Sequence, residues 1–293
     1  MTNPPLDVPA AWERVDLPTA GVVMVIGAPD TGKSAFARYL YRRLCHASRR
    51  VAFLDGDPGQ STLGPPSTVT LALGKSGDDS FPPAEKSWRR FVQAISPRGH
   101  MLPLLVSAAR LIQQVQEQGA QIIVYDTTGF VDPMQGGLNL KLAKIELLRP
   151  TSILAIQRDQ ELEPLLVALR RQRNLRLVEL RPSIAIRPRD VQTRQAHRAS
   201  QFARYLASSQ TVTVDWSQLA VLPAPRFAFH QLVALEDQDG FALGLGSVQS
   251  ADMRAKQVTL LTPLSLLDRV RALRLGDLTL DPKTFRDQPL RET

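Results

Sequence analysis

Residues 27–34 read Gly-Ala-Pro-Asp-Thr-Gly-Lys-Ser, a complete phosphate-binding loop pattern. It lies between the apolar run Gly21-Val-Val-Met-Val-Ile26 and a segment with Phe36, Leu40 and Leu44 at helical spacing. Such a loop works only where a buried strand hands over to a helix, because backbone N–H groups and the positive helix end must converge on one anion. One helix and one strand later, Asp55-Gly-Asp-Pro-Gly-Gln60 puts two carboxylates and an amide at the tip of the strand Val51–Leu54. The apolar strand Gln121–Tyr125 likewise ends in an acid, Asp126. Helices are expected at about 101–118 and 138–148, and further strands at 152–156 and 175–180. Strands alternating with helices predict an α/β fold, a doubly wound, mostly parallel sheet whose functional loops lie at the carboxyl ends of its strands.

Around this core the expected organisation is a proline-rich lead-in (1–20), a nucleotide-binding domain (21–208) and a small β-rich C-terminal domain (209–293). Residues 64–90 hold two Pro-Pro pairs and Gly77-Asp-Asp-Ser80, and are expected to form a long functional loop. A helix from about 190 to 207 lies outside the sheet pattern and reads as part of a lid spanning about 181–207. The C-terminal domain is expected to use short strands at 211–214, 227–235, 241–248 and 257–262, with Asp239-Gly240 as a hairpin turn.

The 293 residues carry a net charge of +8, and its distribution is informative. From Thr211 onward 9 Lys/Arg face 10 Asp/Glu, so the excess lies upstream. Between Arg170 and Arg204 there are ten arginines against only Glu179 and Asp190. Arginine rather than lysine suits planar recognition of phosphate, so part of this run is expected to face phosphates. The single cysteine, Cys45, excludes an internal disulfide and a cysteine metal cluster, and reads as a buried structural thiol. No apolar run reaches the ~20 residues of a membrane span. The N-terminus lacks a basic-then-apolar leader, so the cytoplasm is the expected compartment and a membrane partner is not expected.

In the loop, Gly27 and Gly32 let the backbone turn inward, and Asp30, Thr31 and Ala35 complete the cradle. Lys33 reaches the β- and γ-phosphates, and the Ser34 hydroxyl ligates Mg²⁺. Asp126 fits the acidic partner of the magnesium shell. Asp55 and Asp57 alternate along an extended tip, so one faces the triphosphate and the other faces away. Asp57, leading into Pro58-Gly59-Gln60, is the better placed, both for the metal shell and for a carboxylate that orients an acceptor hydroxyl and takes its proton. Gln60 would orient the acceptor or stabilise its own loop. The absence of an Asn-Lys-x-Asp motif favours ATP over GTP.

Asp57-Pro-Gly-Gln60, Thr127-Thr-Gly-Phe130 and an arginine-rich helix ending in Arg204-Tyr205-Leu206 closely resemble the polynucleotide 5′-hydroxyl kinases. That family includes the RNA kinase of eukaryotic mRNA 3′-end cleavage and tRNA splicing and the kinase of ribosomal RNA processing. The resemblance covers residues 21–207, including Ser61–Pro66 and Ser96–His100, and the tail resembles that of the shorter prokaryotic members. It implies transfer of the γ-phosphate of ATP, with Mg²⁺, to the 5′-hydroxyl of single- or double-stranded RNA or DNA, in RNA processing or nucleic acid repair. It implies that Lys33 and Ser34 bind triphosphate and metal, and that Asp57 acts on the 5′-hydroxyl. It further implies that Thr127, Thr128, Gly129 and Phe130 clasp the strand. Many relatives have Trp where this chain has Phe130, which keeps an aromatic face but loses the indole donor. By the same resemblance Arg189 and Arg194 are the lid arginines acting on the transferring phosphoryl group, with Arg198 one helical turn on. Against this stand a partition-type ATPase or GTPase switch, which would usually have a lysine where Ala28 lies, and a catalytically silent scaffold for RNA-processing partners.

Overall fold

The computed structural model describes residues 8–47, 49–183 and 186–290. By contacts the chain forms two units, the first made of 1–57, 70–87 and 108–189 and the second of 58–69, 88–107 and 190–293. Its first elements are α1 (Ala10–Glu13), β1 (Gly21–Gly27), α2 (Lys33–His46), β2 (Val51–Gly56), β3 (Thr68–Leu73) and β4 (Lys86–Phe91). They continue with α3 (Met101–Glu117), β5 (Ile122–Thr127), α4 (Gly137–Leu148), β6 (Ser152–Ile156), α5 (Glu163–Leu169) and β7 (Arg176–Leu180).

In the first unit the sheet runs β3-β2-β5-β1-β6-β7. β1 lies parallel between β5 and β6, with Val25 opposite both Asp126 and Leu154. β2 runs parallel beside β5, with Asp55 opposite Asp126. A strand covered on both faces must be apolar throughout, and Val22 to Ile26 are all at most 4% exposed. Polar side chains can then enter only where these strands end. The expected parallel core is present, with one departure: β3 is antiparallel to β2, with Ala52 opposite Leu73.

The structure corrects the expectation of a structureless 64–90 segment, which contains β3 and begins β4. Thr68-Val-Thr-Leu-Ala-Leu73 is wholly buried, so its β-branched content takes effect despite the prolines before it. The lead-in is not wholly irregular either: α1 buries Trp12 against Phe36 and Tyr39 of α2. Among the described residues no helix is long and apolar enough to cross a membrane.

The second unit contains α6 (Val191–Leu206), β8 (Gln210–Asp215), β9 (Ala220–Leu222), β10 (Gln231–Glu236), β11 (Ala242–Asp252), β12 (Gln257–Thr262), β13 (Ala272–Leu280) and β14 (Asp287–Pro289). Its sheet runs β14-β13-β10-β11-β12-β8, with β9 parallel to β13. β9, β13 and β14 escaped the sequence reading. The expected turn joins β10 to β11, with Gly240 at φ +76° and its N–H donating to the Asp237 carbonyl (3.1 Å).

α6 starts at Asp190, whose Oδ1 accepts from the Thr193 N–H (2.7 Å) as an N-cap. Ala199, Phe202 and Leu206 form a buried stripe, and the last two join Phe91, Leu232, Leu245 and Leu278 in one apolar cluster. That burial places α6 with the β-rich unit, so the contact boundary falls after Arg189 rather than after residue 208.

Arg198, facing the same unit, donates to both carboxylate oxygens of Asp287 (2.8 and 3.2 Å), and the two side chains are 12% and 6% exposed. Asp287→Ala should destabilise this unit by about 3–5 kcal/mol, since it strands a buried guanidinium. Replacing both residues by Met and Leu should cost far less. Chemical denaturation checks both variants; an Asp287→Ala midpoint equal to that of the parent would refute this role for the pair.

Candidate active site

β1 delivers the chain into a loop whose geometry demands its glycines. A Cβ on Gly27 would collide with the Ile156 carbonyl, and Gly32 sits at φ +87° as the residue before α2. Thr31 Oγ1 and Lys33 Nζ both donate to the Ala28 carbonyl (3.0 and 2.6 Å), which folds the loop around itself. Asp30 closes the other side. Its carboxylate accepts from the Arg189 backbone N–H (3.2 Å) and Nε (3.3 Å), and its carbonyl accepts from Arg158 Nη2 (3.0 Å). Arg189, expected as a lid arginine, is thus bound to the phosphate loop itself. Ser34 and Ala35 begin α2.

Lys33 is 7% exposed. Burial pulls its ammonium below the ordinary lysine range, while Asp126, Asp57 and Asp30 pull it back up. Asp55 is buried, with Oδ1 accepting from the Asp57 N–H (3.4 Å), and Asp57 is half-buried at the strand tip. Asp57 is thus one of the carboxylates that raise the lysine.

Asp126, 3% exposed, is raised to about 7, mainly by burial, with Asp55 and Asp57 adding to the shift and a hydrogen bond from Ser34 opposing it. Its Oδ1 is buried with no hydrogen-bond partner. An orphaned carboxylate oxygen beside a serine hydroxyl suits a divalent cation. Among the described residues no group of three His, Cys, Asp or Glu could hold a metal. The donor set therefore fits an ion that takes its remaining ligands from water and phosphate oxygens, as Mg²⁺ does.

β5 ends at Thr127, and Thr128 to Phe130 follow directly. Thr127 Oγ1 donates to the Val25 carbonyl of β1 (2.7 Å). A Cβ on Gly129 would meet Pro29 of the phosphate loop at 2.9 Å, so the turn and the loop lie backbone to backbone. The Thr128 hydroxyl lies 3.4 Å from the Phe130 N–H, and Phe130 is half-buried.

Two residues that sequence reasoning missed hold this turn from below. Lys141, fully buried on α4, donates from Nζ to Thr127 Oγ1 (2.8 Å) and to the Thr128 carbonyl. Lys144, one turn on, donates to the Tyr125 hydroxyl, with Nζ 5.0 Å from the ring centroid. The available signal was their position: Leu138, Lys141, Lys144 and Ile145 fall on one helical stripe, where the lysines replace apolar residues.

The remaining expected residues belong to the second unit: Gln60 is half-buried with Nε2 on the Gly59 carbonyl, Arg194 is half-buried near the start of α6, and Arg198 is held by Asp287. His100, near a family motif, pairs with Asp277 (2.7 Å). The arginine run is only partly available to phosphate, because Arg170 binds Glu163 and Glu179, and Arg176 binds Asp16.

Burial brings Lys144 down to about 7 from 10.5, with Asp57 opposing the shift. The unfolded chain then binds more protons between those values, so stability rises with pH across that window and the lysine costs stability at its lower end. Lys144→Met should melt at a higher temperature, relative to the parent, at pH 7 than at pH 10; the difference amounts to roughly 3–5 kcal/mol at the limit. A difference independent of pH would refute the downward shift.

Residues 27–208 match the family described as mRNA cleavage and polyadenylation factor CLP1 P-loop. A polyribonucleotide 5′-hydroxyl-kinase of Pyrococcus furiosus is 25% identical over 330 residues, covering 93% of this chain and 91% of its own. Another, of Methanocaldococcus jannaschii, is 22% identical over 318 residues, covering 88% and 87%. A third, of Thermococcus kodakarensis, is 30% identical over 199 residues, covering 68% and 55%. The structure of a wild-type Clp1p–Pcf11p complex matches with a TM-score of 0.65 at 12% identity, over 89% of this chain and 75% of that one, a likeness of fold. The family match spans more than half of the chain and takes in the phosphate loop, Asp57, the Thr127–Phe130 turn and α6: the chain belongs to the CLP1 P-loop family.

Proposed function

We propose that this protein is a cytoplasmic polynucleotide 5′-hydroxyl kinase that transfers the γ-phosphate of ATP to a 5′-hydroxyl end of RNA or DNA. The observation that supports this most is the convergence on Lys33. A half-exposed carboxylate, Asp57, and a buried one, Asp126, surround the lysine, and the Thr127–Phe130 turn lies against the same phosphate loop. A switch needs the loop and Asp126; a kinase also needs an acceptor-side carboxylate and somewhere to seat the acceptor.

In this reading the backbone of residues 27–35 and Lys33 hold the triphosphate, and Ser34 and Asp126, with Asp57 at the rim, hold Mg²⁺. When bound, the cation neutralises charge that builds on the phosphoryl oxygens. Asp57 orients the 5′-hydroxyl and accepts its proton as the hydroxyl oxygen bonds to the γ-phosphorus. The bond from that phosphorus to the β–γ bridging oxygen breaks, and ADP leaves. Thr127–Phe130 position the strand, with the Phe130 ring as a stacking face. Arg189, fixed on Asp30, and Arg194 supply positive charge to the transferring group, while Gln60 orients the acceptor. Arg198 acts by fixing α6 through Asp287 rather than by touching the strand.

Incubation with γ-labelled ATP, Mg²⁺ and 5′-hydroxyl oligonucleotides, as RNA and DNA in single and double strands, should give 5′-labelled product. Absence of label from all four would sink the proposal. Asp57→Asn should lower kcat by roughly 10²–10⁴-fold while ATP affinity stays within a few-fold. Undiminished turnover would remove Asp57 from this role.

A further inference from the structure

The second unit contains a cleft of its own, about 210 Å³ in volume, formed by loop 62–65 with Arg89 of β4 and Gln201, Arg204 and Tyr205 of α6. We propose that it is a subsite for an internal phosphodiester of the nucleic acid strand, a reading that rests on the kinase function above.

The cleft is held in shape from several sides. The Tyr205 hydroxyl accepts from the Leu245 N–H (2.8 Å), which fixes the ring from β11. The Arg89 guanidinium lies 6.0 Å from that ring's centroid. Gln201 Nε2 donates to the Ser61 carbonyl (3.4 Å), and its Oε1 accepts from Arg204 Nη1 (3.3 Å). The loop is pinned by Thr68 Oγ1 on the Pro65 carbonyl (2.7 Å).

Charge identifies the occupant. No acidic residue lines the cleft, and neither Arg89 nor Arg204 has a carboxylate partner among the described residues. Arg198, on the same helix, is by contrast neutralised by Asp287. Two uncompensated guanidinium groups beside an amide and a hydroxyl-bearing loop make a site for phosphate oxygens, which guanidinium recognises in two-pronged geometry. Size narrows the class further. Pockets that enclose a whole small molecule run to about 300–1,000 Å³. This cleft takes one phosphate with part of its sugar, a segment of a longer strand rather than a free nucleotide.

The test uses Arg204→Gln and Arg89→Gln in the full chain, with unchanged melting temperature as the control for folding. Affinity is read by fluorescence anisotropy of a labelled 5′-hydroxyl 12-mer oligouridylate across a salt series, with no turnover required. Each variant should bind about 10-fold more weakly, and the slope of log affinity against log salt should fall by about 0.7 per arginine lost. In the kinase assay KM for the 12-mer should rise with kcat unchanged, while KM for a 5′-hydroxyl nucleoside, which has no phosphodiester, stays at the parental value. Parental affinity and salt slope in both variants would overturn the subsite, leaving an acidic protein segment as the candidate occupant. An equal rise in KM for the 12-mer and the nucleoside would overturn it as well. Because binding is read separately, a parent chain that binds the 12-mer without phosphorylating it refutes the kinase reading alone. A parent that phosphorylates, with variants that bind normally, refutes the cleft alone.

Discussion

An ammonium and three carboxylates meet where the apolar parallel strands β1, β2 and β5 end, and the arrangement of the first unit follows from keeping those charges balanced. Lys33, Asp55 and Asp126 are nearly buried, and Asp57 is half-buried. Ions taken out of water at this density are costly unless each offsets another. Asp126 and Asp57 sustain the charge on Lys33, and Ser34 and the Asp57 amide take up part of the negative charge on Asp126 and Asp55. The balance is incomplete. Asp126 is raised to about 7 and keeps one oxygen without a partner, a deficit that a cation would make good.

The two lysines of α4 carry the same logic to the layer beneath. Lys141 ties Thr127 and Thr128 together, and Thr127 in turn is bonded to Val25, so the turn after β5 is fixed to the strand that leads into the phosphate loop. Lys141 and Lys144 are shifted downward by burial, and both feel Asp57 in the opposite sense. Burial thus works against the charged form of both lysines, and Asp57 works for it. A buried lysine at these positions costs stability that an apolar residue would not. The return is a turn whose hydroxyls and carbonyl are held in one orientation.

What could be read from the sequence divides along the range of the interactions involved. The phosphate loop, the acidic strand ends and the capped arginine helix are set by neighbours along the chain, and each lies where its local pattern placed it. β3 was hidden because Pro65 and Pro66 precede it and Pro82 and Pro83 follow it, although pairing with β2 decides its conformation. Lys141 and Lys144 were missed because lysine on a helix ordinarily faces water, and only the partners at Thr127 and Tyr125 give them reason to turn inward. The partner of Arg198 lies 89 residues away, beyond the reach of any spacing argument. The same distance effect moved α6 from the nucleotide-binding unit to the β-rich one.

The arginine run shows why composition alone overstates a binding surface. Arg170, Arg176 and Arg198 are each matched to a carboxylate of this chain, and such pairs spend their charge on the fold. Arginines without a carboxylate partner keep their charge for a bound anion. Arg204 is such a residue in the run, and Arg89, outside the run altogether, is another. A net charge of +8 steers an anionic strand toward the protein at any of its faces. Unmatched guanidinium groups in a cleft of fixed shape turn that general attraction into a defined contact.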